Sequence, residues 1–135
     1  MMLKDKKDRT RIFHLHPLAL VLMFSMKHYC EENKIRFQVT STVSTLEEDR
    51  WLSRRSSTHR TGRAFDLSIR DWTSGDIHNF ITYFSNKFSN IAATDKNGKP
   101  KLIVHHNSGH GDHLHIQINY KYKKEEVSQD TLANF

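Results

Sequence analysis

Ser-Thr-His-Arg-Thr-Gly-Arg-Ala-Phe-Asp, residues 57–66, places a histidine and a carboxylate seven positions apart around a glycine, just before the strand-like Leu-Ser-Ile of residues 67–69. A neutral imidazole and a carboxylate oxygen both bind zinc, at about 2.0–2.2 Å. Gly62 allows the loop between them to turn sharply, because glycine adopts positive φ angles without a steric cost. The stretch therefore predicts that His59 and Asp66 are two ligands of a metal site at a junction between a loop and a strand.

A second histidine-rich segment, residues 111–118, can supply a further ligand. It reads Gly-Asp-His-Leu-His-Ile-Gln-Ile, and alternate residues of a β-strand face the same way. His113 and His115 are therefore expected on one face of a strand. The opposite face would carry Leu114, Ile116 and Ile118. A third ligand is thus available from this strand.

Together these two segments resemble the zinc peptidases of the LAS group, which includes D-Ala-D-Ala peptidases, lysostaphin-type endopeptidases and the hedgehog signalling domain. The family pattern Ser-x-His-x-x-Gly-x-Ala-x-Asp is met at Ser57, His59, Gly62, Ala64 and Asp66. The later acidic-x-x-His pattern is met by Asp112 and His115. The motif order and the chain size are most similar to the small phage L-alanyl-D-glutamate peptidases, with motif-level similarity over roughly residues 35–119.

The resemblance implies both a fold and a set of site residues. The fold would be α+β, with helices packed against a small, mainly antiparallel sheet, as in hedgehog and D-Ala-D-Ala peptidase domains. The zinc ligands would be His59, Asp66 and His115, which leaves a fourth position for water. Asp112 would be the general base, with His113 as its rival or helper. Ser57 and Arg63 would contact the substrate.

The activity implied by the resemblance is zinc-dependent hydrolysis of an amide bond in the peptide stems of bacterial peptidoglycan. A phage-type L-alanyl-D-glutamate endopeptidase, an endolysin, is preferred over a D-Ala-D-Ala carboxypeptidase. A second alternative is a virion structural or binding module that keeps the zinc fold without turnover. It is favoured by the segment at residues 42–45, Thr-Val-Ser-Thr, which lacks the arginine of the family's Gly-Tyr-Arg-Ser-like segment. The open candidates for a replacement are Arg50, Arg54, Arg55 and Arg63.

The composition limits the class of protein. With 135 residues, of which 36% are hydrophobic, one zinc peptidase domain over residues 1–135 is expected, with polar tails near residues 1–11 and 121–135. The single cysteine, Cys30, excludes an intramolecular disulfide and is expected to be an inert core residue. The net charge of +6 indicates a polyanionic partner. Anionic envelope polymers are preferred over nucleic acid, because the basic residues are scattered and no nucleic-acid-binding motif accompanies them. A monomer is expected.

The apolar run at residues 18–24 invites interpretation as a signal peptide. Lys27 and His28 end the run early and no small-x-small cleavage site follows, so a buried helix starting near Pro17 is predicted instead. The run is also shorter than the roughly 20 residues of a membrane span. Without an export signal or anchor, the protein is expected in the cytoplasm of the bacterial host until lysis, after which it acts on the cell wall.

Periodicity and turn signals predict the remaining elements. Strands are expected at residues 35–40 and 65–70, a short helix at residues 46–53, and an amphipathic helix after a cap at residues 74–76. Asn97-Gly98 is a hairpin signal, so residues 91–93 and 102–106 are expected to pair. Because one more ligand completes the metal site, three further histidines are placed outside it: His105, His106 and His110.

Overall fold

Four strands build the sheet of the computed structural model, which describes residues 2–108 and 111–128. They are β1 (Val39–Ser41), β2 (Ala64–Ser68), β3 (Ile103–Ser108) and β4 (Gly111–Gln117). The strands lie in the order β1-β2-β4-β3, and every neighbouring pair is antiparallel. The predicted α+β class with a small antiparallel sheet is confirmed.

The α-helices of the described residues are α1 (Asp8–Arg11), α2 (Pro17–Glu32), α3 (Leu46–Trp51) and α4 (Ser74–Lys87). Pro17 begins α2, where its missing N–H and fixed φ suit the first turn. Capping boxes start the next two helices, Thr45 with Glu48 in α3 and Thr73 with Asp76 in α4. Within residues 2–108 and 111–128, no helix has the length and apolar character needed to cross a bilayer.

The two faces of the sheet have opposite character. One face joins the hydrophobic core with α2 and α4, and its buried side chains include Phe65, Leu67, Leu114 and Ile116. Burying such a side chain contributes about 1.5–3 kcal/mol. A slip of one residue in register would bring Asp66 or His115 into this core, so the apolar face also specifies where the polar residues lie. The alternation predicted for residues 113–118 is confirmed.

Two strand predictions are wrong in their extent or pairing. Residues 35–38 lie outside β1, although Gln38 O still accepts from Ser68 N of β2 at 2.9 Å. Arg36 O instead accepts from the side chain of Trp72, whose Nε1 lies 2.7 Å away. The turn at Asn97-Gly98 is present, with Gly98 N donating to Asp95 O at 3.0 Å. The pairing across this turn is limited to a bridge between Thr94 and Pro100 and a hydrogen bond from Lys101 N to Ala93 O at 2.6 Å, while the following strand, β3, pairs with β4. The ladder between β3 and β4 is continuous from Ile103 to Ser108.

The described part of the amino-terminal segment, residues 2–11, is packed on the domain, where a polar tail was expected near residues 1–11. Leu3 forms a parallel bridge with Val39, and Lys4 N donates to Val39 O at 2.8 Å. Asp8 and Arg11 are only 1% and 6% exposed. These buried polar groups hold the segment that follows β1.

The start of the predicted carboxy-terminal tail is also ordered against the domain. Lys124 N donates to Thr61 O at 2.8 Å, and Arg60 Nε lies 2.6 Å from Glu126 Oε1. The part of this tail after residue 128 lies outside the described residues. In the core, burial together with the nearby Asp76 raises the pKa of the Cys30 thiol to about 12, in keeping with an unreactive core cysteine.

Candidate metal centre

Three side chains converge on one point on the polar face of the sheet. Asp66 of β2 and His115 of β4 are direct cross-strand partners, and His59 reaches them from the loop before β2. His59 Nε2 and His115 Nδ1 lie 3.1 and 3.0 Å from the same carboxylate oxygen, Asp66 Oδ1. Ligand atoms of the three residues lie within 4.8 Å of one another, so the group could bind a metal ion. We call it the His-Asp-His triad.

The triad is buried, and burial competes with the contacts among its members in setting their protonation. His59, Asp66 and His115 are 3%, 6% and 8% exposed. Burial alone would raise the pKa of Asp66, but the two histidines outweigh it and hold that pKa well below its ordinary value. Burial lowers the pKa of His115, partly opposed by its hydrogen bond to Asp66. An ionised carboxylate beside a neutral imidazole is the state that metal ligation requires.

The orientation of the His59 ring points the lone pair of Nε2 at a carboxylate oxygen of Asp66, which is also an acceptor. Its Nδ1 lies 2.7 Å from Thr42 O, and because a carbonyl can only accept, Nδ1 carries the proton. In the neutral ring Nε2 therefore holds a lone pair, which faces the carboxylate oxygen of Asp66. Such a pair needs a proton or a cation between its members. A metal ion satisfies both groups, so the residues present fit one.

His115 has a suitable partner for its second nitrogen. Its Nε2 lies 3.1 Å from Gln117 Oε1 and 3.2 Å from Thr58 Oγ1. Gln117 Nε2 donates to Lys101 O at 2.9 Å, which turns the amide oxygen toward the histidine. If His115 Nε2–H donates to that oxygen, the lone pair of Nδ1 faces the triad. Metal-bound histidines commonly hold their second nitrogen in this way.

Gly62 shapes the loop that carries His59. Its φ of +70° is in the region that favours glycine, and a Cβ there would lie only 2.6 Å from the backbone oxygen of His14. Gly62 O also accepts a hydrogen bond from His16 N at 2.9 Å. The sharp turn predicted at this glycine is confirmed, and the close approach of the His14 backbone gives a second reason for it.

The triad forms part of the wall of an open groove with a volume of about 1060 Å³. Its cationic lining residues are Lys4, Arg54, Arg55 and Arg70. Apolar residues line it as well, among them Leu52, Ile69, Trp72 and Ile77. The groove is large enough for an extended peptide to reach the triad.

Both candidates for a general base line the groove, but they occupy different faces of β4. His113 lines the groove, and its Nδ1–H donates to Gly111 O at 3.1 Å, so Nε2 keeps its lone pair in the neutral ring. That Nε2 lies 4.0 Å from Asp66 Oδ2. Asp112 is exposed and also lines the groove, but alternation along β4 puts it on the face of Leu114. His113 is therefore better placed beside the triad.

Arg54 is the arginine that the structure brings to the triad. Its Nη2 lies 3.4 Å from Asp66 Oδ2 and 3.1 Å from Ser41 Oγ, while Nη1 lies 3.4 Å from Asp49 Oδ1. Asp49 is fully buried and also accepts from Ser44 Oγ at 2.6 Å. This buried carboxylate anchors Arg54, which adds a positive charge at the groove wall.

The predicted substrate contacts, Ser57 and Arg63, lie elsewhere. Neither is among the residues that line the groove around the triad. The Arg63 guanidinium is buried and donates to Ile118 O at 3.1 Å and to Thr61 Oγ1 at 3.0 Å. Its hydrogen bonds are thus used inside the domain. The role of both residues in substrate binding stays a prediction, and the structure places them outside this groove.

His106, placed outside the metal site by the sequence, lines the groove beside the triad without belonging to it. It is the cross-strand partner of His113, and its ring centroid lies 5.2 Å from that of His113 and 5.8 Å from that of His115. Burial and the neighbouring His113 lower the pKa of His106. The position of His106 follows from the register of β3 against β4. This register cannot be read from the sequence alone. His105 occupies the other face of β3, and His110 lies outside the described residues.

Comparison with known proteins adds no family to these observations. No protein-family model, curated protein or solved structure matches the chain. The resemblance to the LAS peptidases therefore rests on the two sequence motifs, and the chemistry of the site has to be argued from its own side chains.

Proposed function

We propose that this protein is a zinc-dependent peptidase of the LAS type, with a hedgehog-like fold, that hydrolyses an amide bond in peptidoglycan stem peptides. The observation that carries the proposal is the convergence of His59 Nε2 and His115 Nδ1 on one oxygen of Asp66. The two motifs favour the L-alanyl-D-glutamate bond and a phage endolysin. The α+β architecture and the burial of the triad support this function.

The donor set favours zinc over other biological cations. Calcium and magnesium prefer sites built mainly from oxygen, whereas the triad offers two imidazole nitrogens and one carboxylate. A closed structural zinc site usually includes thiolates, but Cys30, the only cysteine, is buried on α2. Three protein ligands leave a position for water, which is typical of catalytic zinc.

The side chains around the triad can supply the remaining functions of a hydrolase. When bound, zinc supplies Lewis acidity, which activates water and polarises an amide carbonyl. His113 Nε2, with its free lone pair, can take the proton of the attacking water and pass it to the leaving amine. Arg54 can stabilise negative charge that develops on the carbonyl oxygen. Asp112 remains the alternative base, because it matches the family motif and lines the groove.

The charge of the groove supports an acidic peptide as substrate. Four cationic side chains line it, against the carboxylates of Asp66 and Asp112. A bound dication would further offset the Asp66 charge. A stem peptide that contains glutamate and a free carboxylate terminus complements such a surface. The overall charge of +6 likewise favours association with anionic envelope polymers.

The proposal is tested by measuring zinc content and peptidoglycan cleavage on the same sample. Zinc-loaded protein should clear a suspension of purified cell walls, and mass analysis of the fragments should show which bond is cut. His59→Ala and His115→Ala should lose both zinc and cleavage. His105→Ala is the matched control, because His105 lies on the other face of β3. Intact stems, alongside a positive control that cleaves them, would refute the proposal.

The position of Asp112 favours keeping a second candidate, a zinc-binding module without turnover. The register of β4 places this acidic residue on the strand face of Leu114, although it still lines the groove near the end of the strand. Such a module would bind one zinc per chain and leave every stem bond intact. A D-Ala-D-Ala carboxypeptidase would instead release free D-alanine, so the same mass analysis separates all three functions.

A further inference from the structure

We propose that the amino-terminal helix α1 positions the ligand His59, acting through Thr42. Asp8 and Arg11 of α1 would be positioning residues, since they hold the backbone whose carbonyl orients the imidazole. The expected effect on zinc affinity rests on the proposed metal site, whereas the expected effect on the His59 ring does not.

The first step is the contact between α1 and residues 42–45, which have no regular secondary structure. Thr42 Oγ1 donates to Asp8 Oδ1, and both residues are buried. Arg11 Nη1 donates to Val43 O at 3.2 Å and to Glu48 Oε1 at 2.7 Å. Side chains of α1 therefore replace strand or helix hydrogen bonds in holding this segment.

The second step is the contact between this segment and the triad. Thr42 O accepts the hydrogen bond from His59 Nδ1 at 2.7 Å, inside the buried region. Because hydroxyl and carbonyl belong to one residue, displacement of the Thr42 side chain also displaces the acceptor of His59. Loss of this acceptor would allow either ring nitrogen to carry the proton. Only the tautomer with its proton on Nδ1 offers a lone pair at Nε2 toward Asp66.

The burial of Asp8 supports a specific role for its contact with Thr42. Burial raises the pKa of Asp8, and in the described part of the chain its Oδ2 has no hydrogen-bond partner. A buried carboxyl group is costly unless hydrogen bonds compensate it. The hydrogen bond from Thr42 is the compensation that Oδ1 receives, so the position of Asp8 is linked to that of Thr42.

The test combines two disruptive variants with two conservative ones in the full chain. Thr42→Val removes the hydroxyl but keeps the side-chain shape, and Asp8→Ala removes the acceptor. Thr42→Ser and Asp8→Asn retain a donor and an acceptor respectively. Thr73→Ala is the stability control, because it removes the cap of α4, which is a different element.

Two measurements separate positioning from stability. Long-range ¹H–¹⁵N NMR of the metal-free protein reports whether Nδ1 of His59 carries a proton, independently of any proton that Nε2 shares with Asp66. Competition with a chelating indicator gives the zinc dissociation constant. We expect Thr42→Val and Asp8→Ala to lose the preference for Nδ1–H and to bind zinc about 10–100-fold more weakly. Thr42→Ser, Asp8→Asn and Thr73→Ala should keep both properties close to wild type.

The proposal is overturned if Thr42→Val loses stability as Thr73→Ala does while the tautomer and the zinc affinity stay unchanged. Should Asp8→Ala not fold, Thr42→Val decides the result alone, since it preserves the packing volume. If the wild-type protein binds no zinc, the proposed function fails, but the NMR measurement still decides whether α1 orients His59.

Discussion

Gly62→Ala provides a severe test of the loop that joins two of the ligands. The residue has a φ of +70°, which costs an L-amino acid about 1–2 kcal/mol. The new Cβ would lie 2.6 Å from His14 O, a backbone atom that cannot rotate away. Overpacking of this kind costs about 1–3 kcal/mol. We therefore expect the free energy of unfolding to fall by about 2–5 kcal/mol. A typical domain is stable by only about 5–15 kcal/mol, so this loss would be a large part of the total.

Gly98→Ala is the matched control for this substitution. Gly98 has a similar φ of +77°, but no atom lies within 4 Å of the position its Cβ would take. It should lose only the backbone contribution of about 1–2 kcal/mol. The difference between the two variants then measures the contact with the His14 backbone. Gly62→Ala should also weaken zinc binding, because the loop carries His59, whereas Gly98→Ala should not.

The free energy of unfolding of each variant is measured by urea titration of the metal-free protein, with zinc affinity measured under native conditions. The expected order of stability is wild type, then Gly98→Ala, then Gly62→Ala. Equal stability of the two variants would show that the approach of His14 O to Gly62 is not a tight contact. The account of the loop would then be wrong.

Three further predictions concern catalysis and pH. His113→Ala should lower the kcat of peptide cleavage about 10²–10⁴-fold with zinc retained, and Asp112→Asn should lower it less. If Asp112→Asn lowers kcat more than His113→Ala does, Asp112 is the base. Arg54→Met should lower kcat by about 10²–10³-fold if the guanidinium stabilises developing charge, and a change in KM alone would limit Arg54 to substrate binding. Burial opposes ionisation of Glu48, but hydrogen bonds from Arg11 and the Thr45 N–H lower its pKa from 4.5 to about 2. A depressed pKa in the folded state contributes stability above pH 4.5 that is lost as the pH falls toward 2, so the stability difference between wild type and Glu48→Gln, followed by urea unfolding, should shrink over that range.

Several features of the site could be predicted from local sequence. The spacing of His59, Gly62 and Asp66 identified two members of the triad and the sharp turn between them. The alternation of residues 113–118 assigned His115 to the polar face, because the side chains of a strand alternate with period two. These properties depend on neighbours in the chain, so a pattern of residue types is enough to show them.

Other features depend on contacts between residues that are far apart in the chain. Asp66 and His115 are 49 positions apart, and Thr42 and Asp8 are 34 positions apart. The sequence left four arginines open, and contacts with Asp49 and with Ser41 of β1 place Arg54 beside the triad.

Strand register decided the remaining differences. The sequence alone predicted a strand at residues 35–40 and a hairpin of residues 91–93 with 102–106, yet β3 pairs with β4 along its whole length. The same register brought His106 next to His113 and turned Asp112 toward the face of Leu114. Local sequence thus determined which residue types could bind a metal, and tertiary packing determined their neighbours, because register and burial are set by the whole core rather than by any one segment.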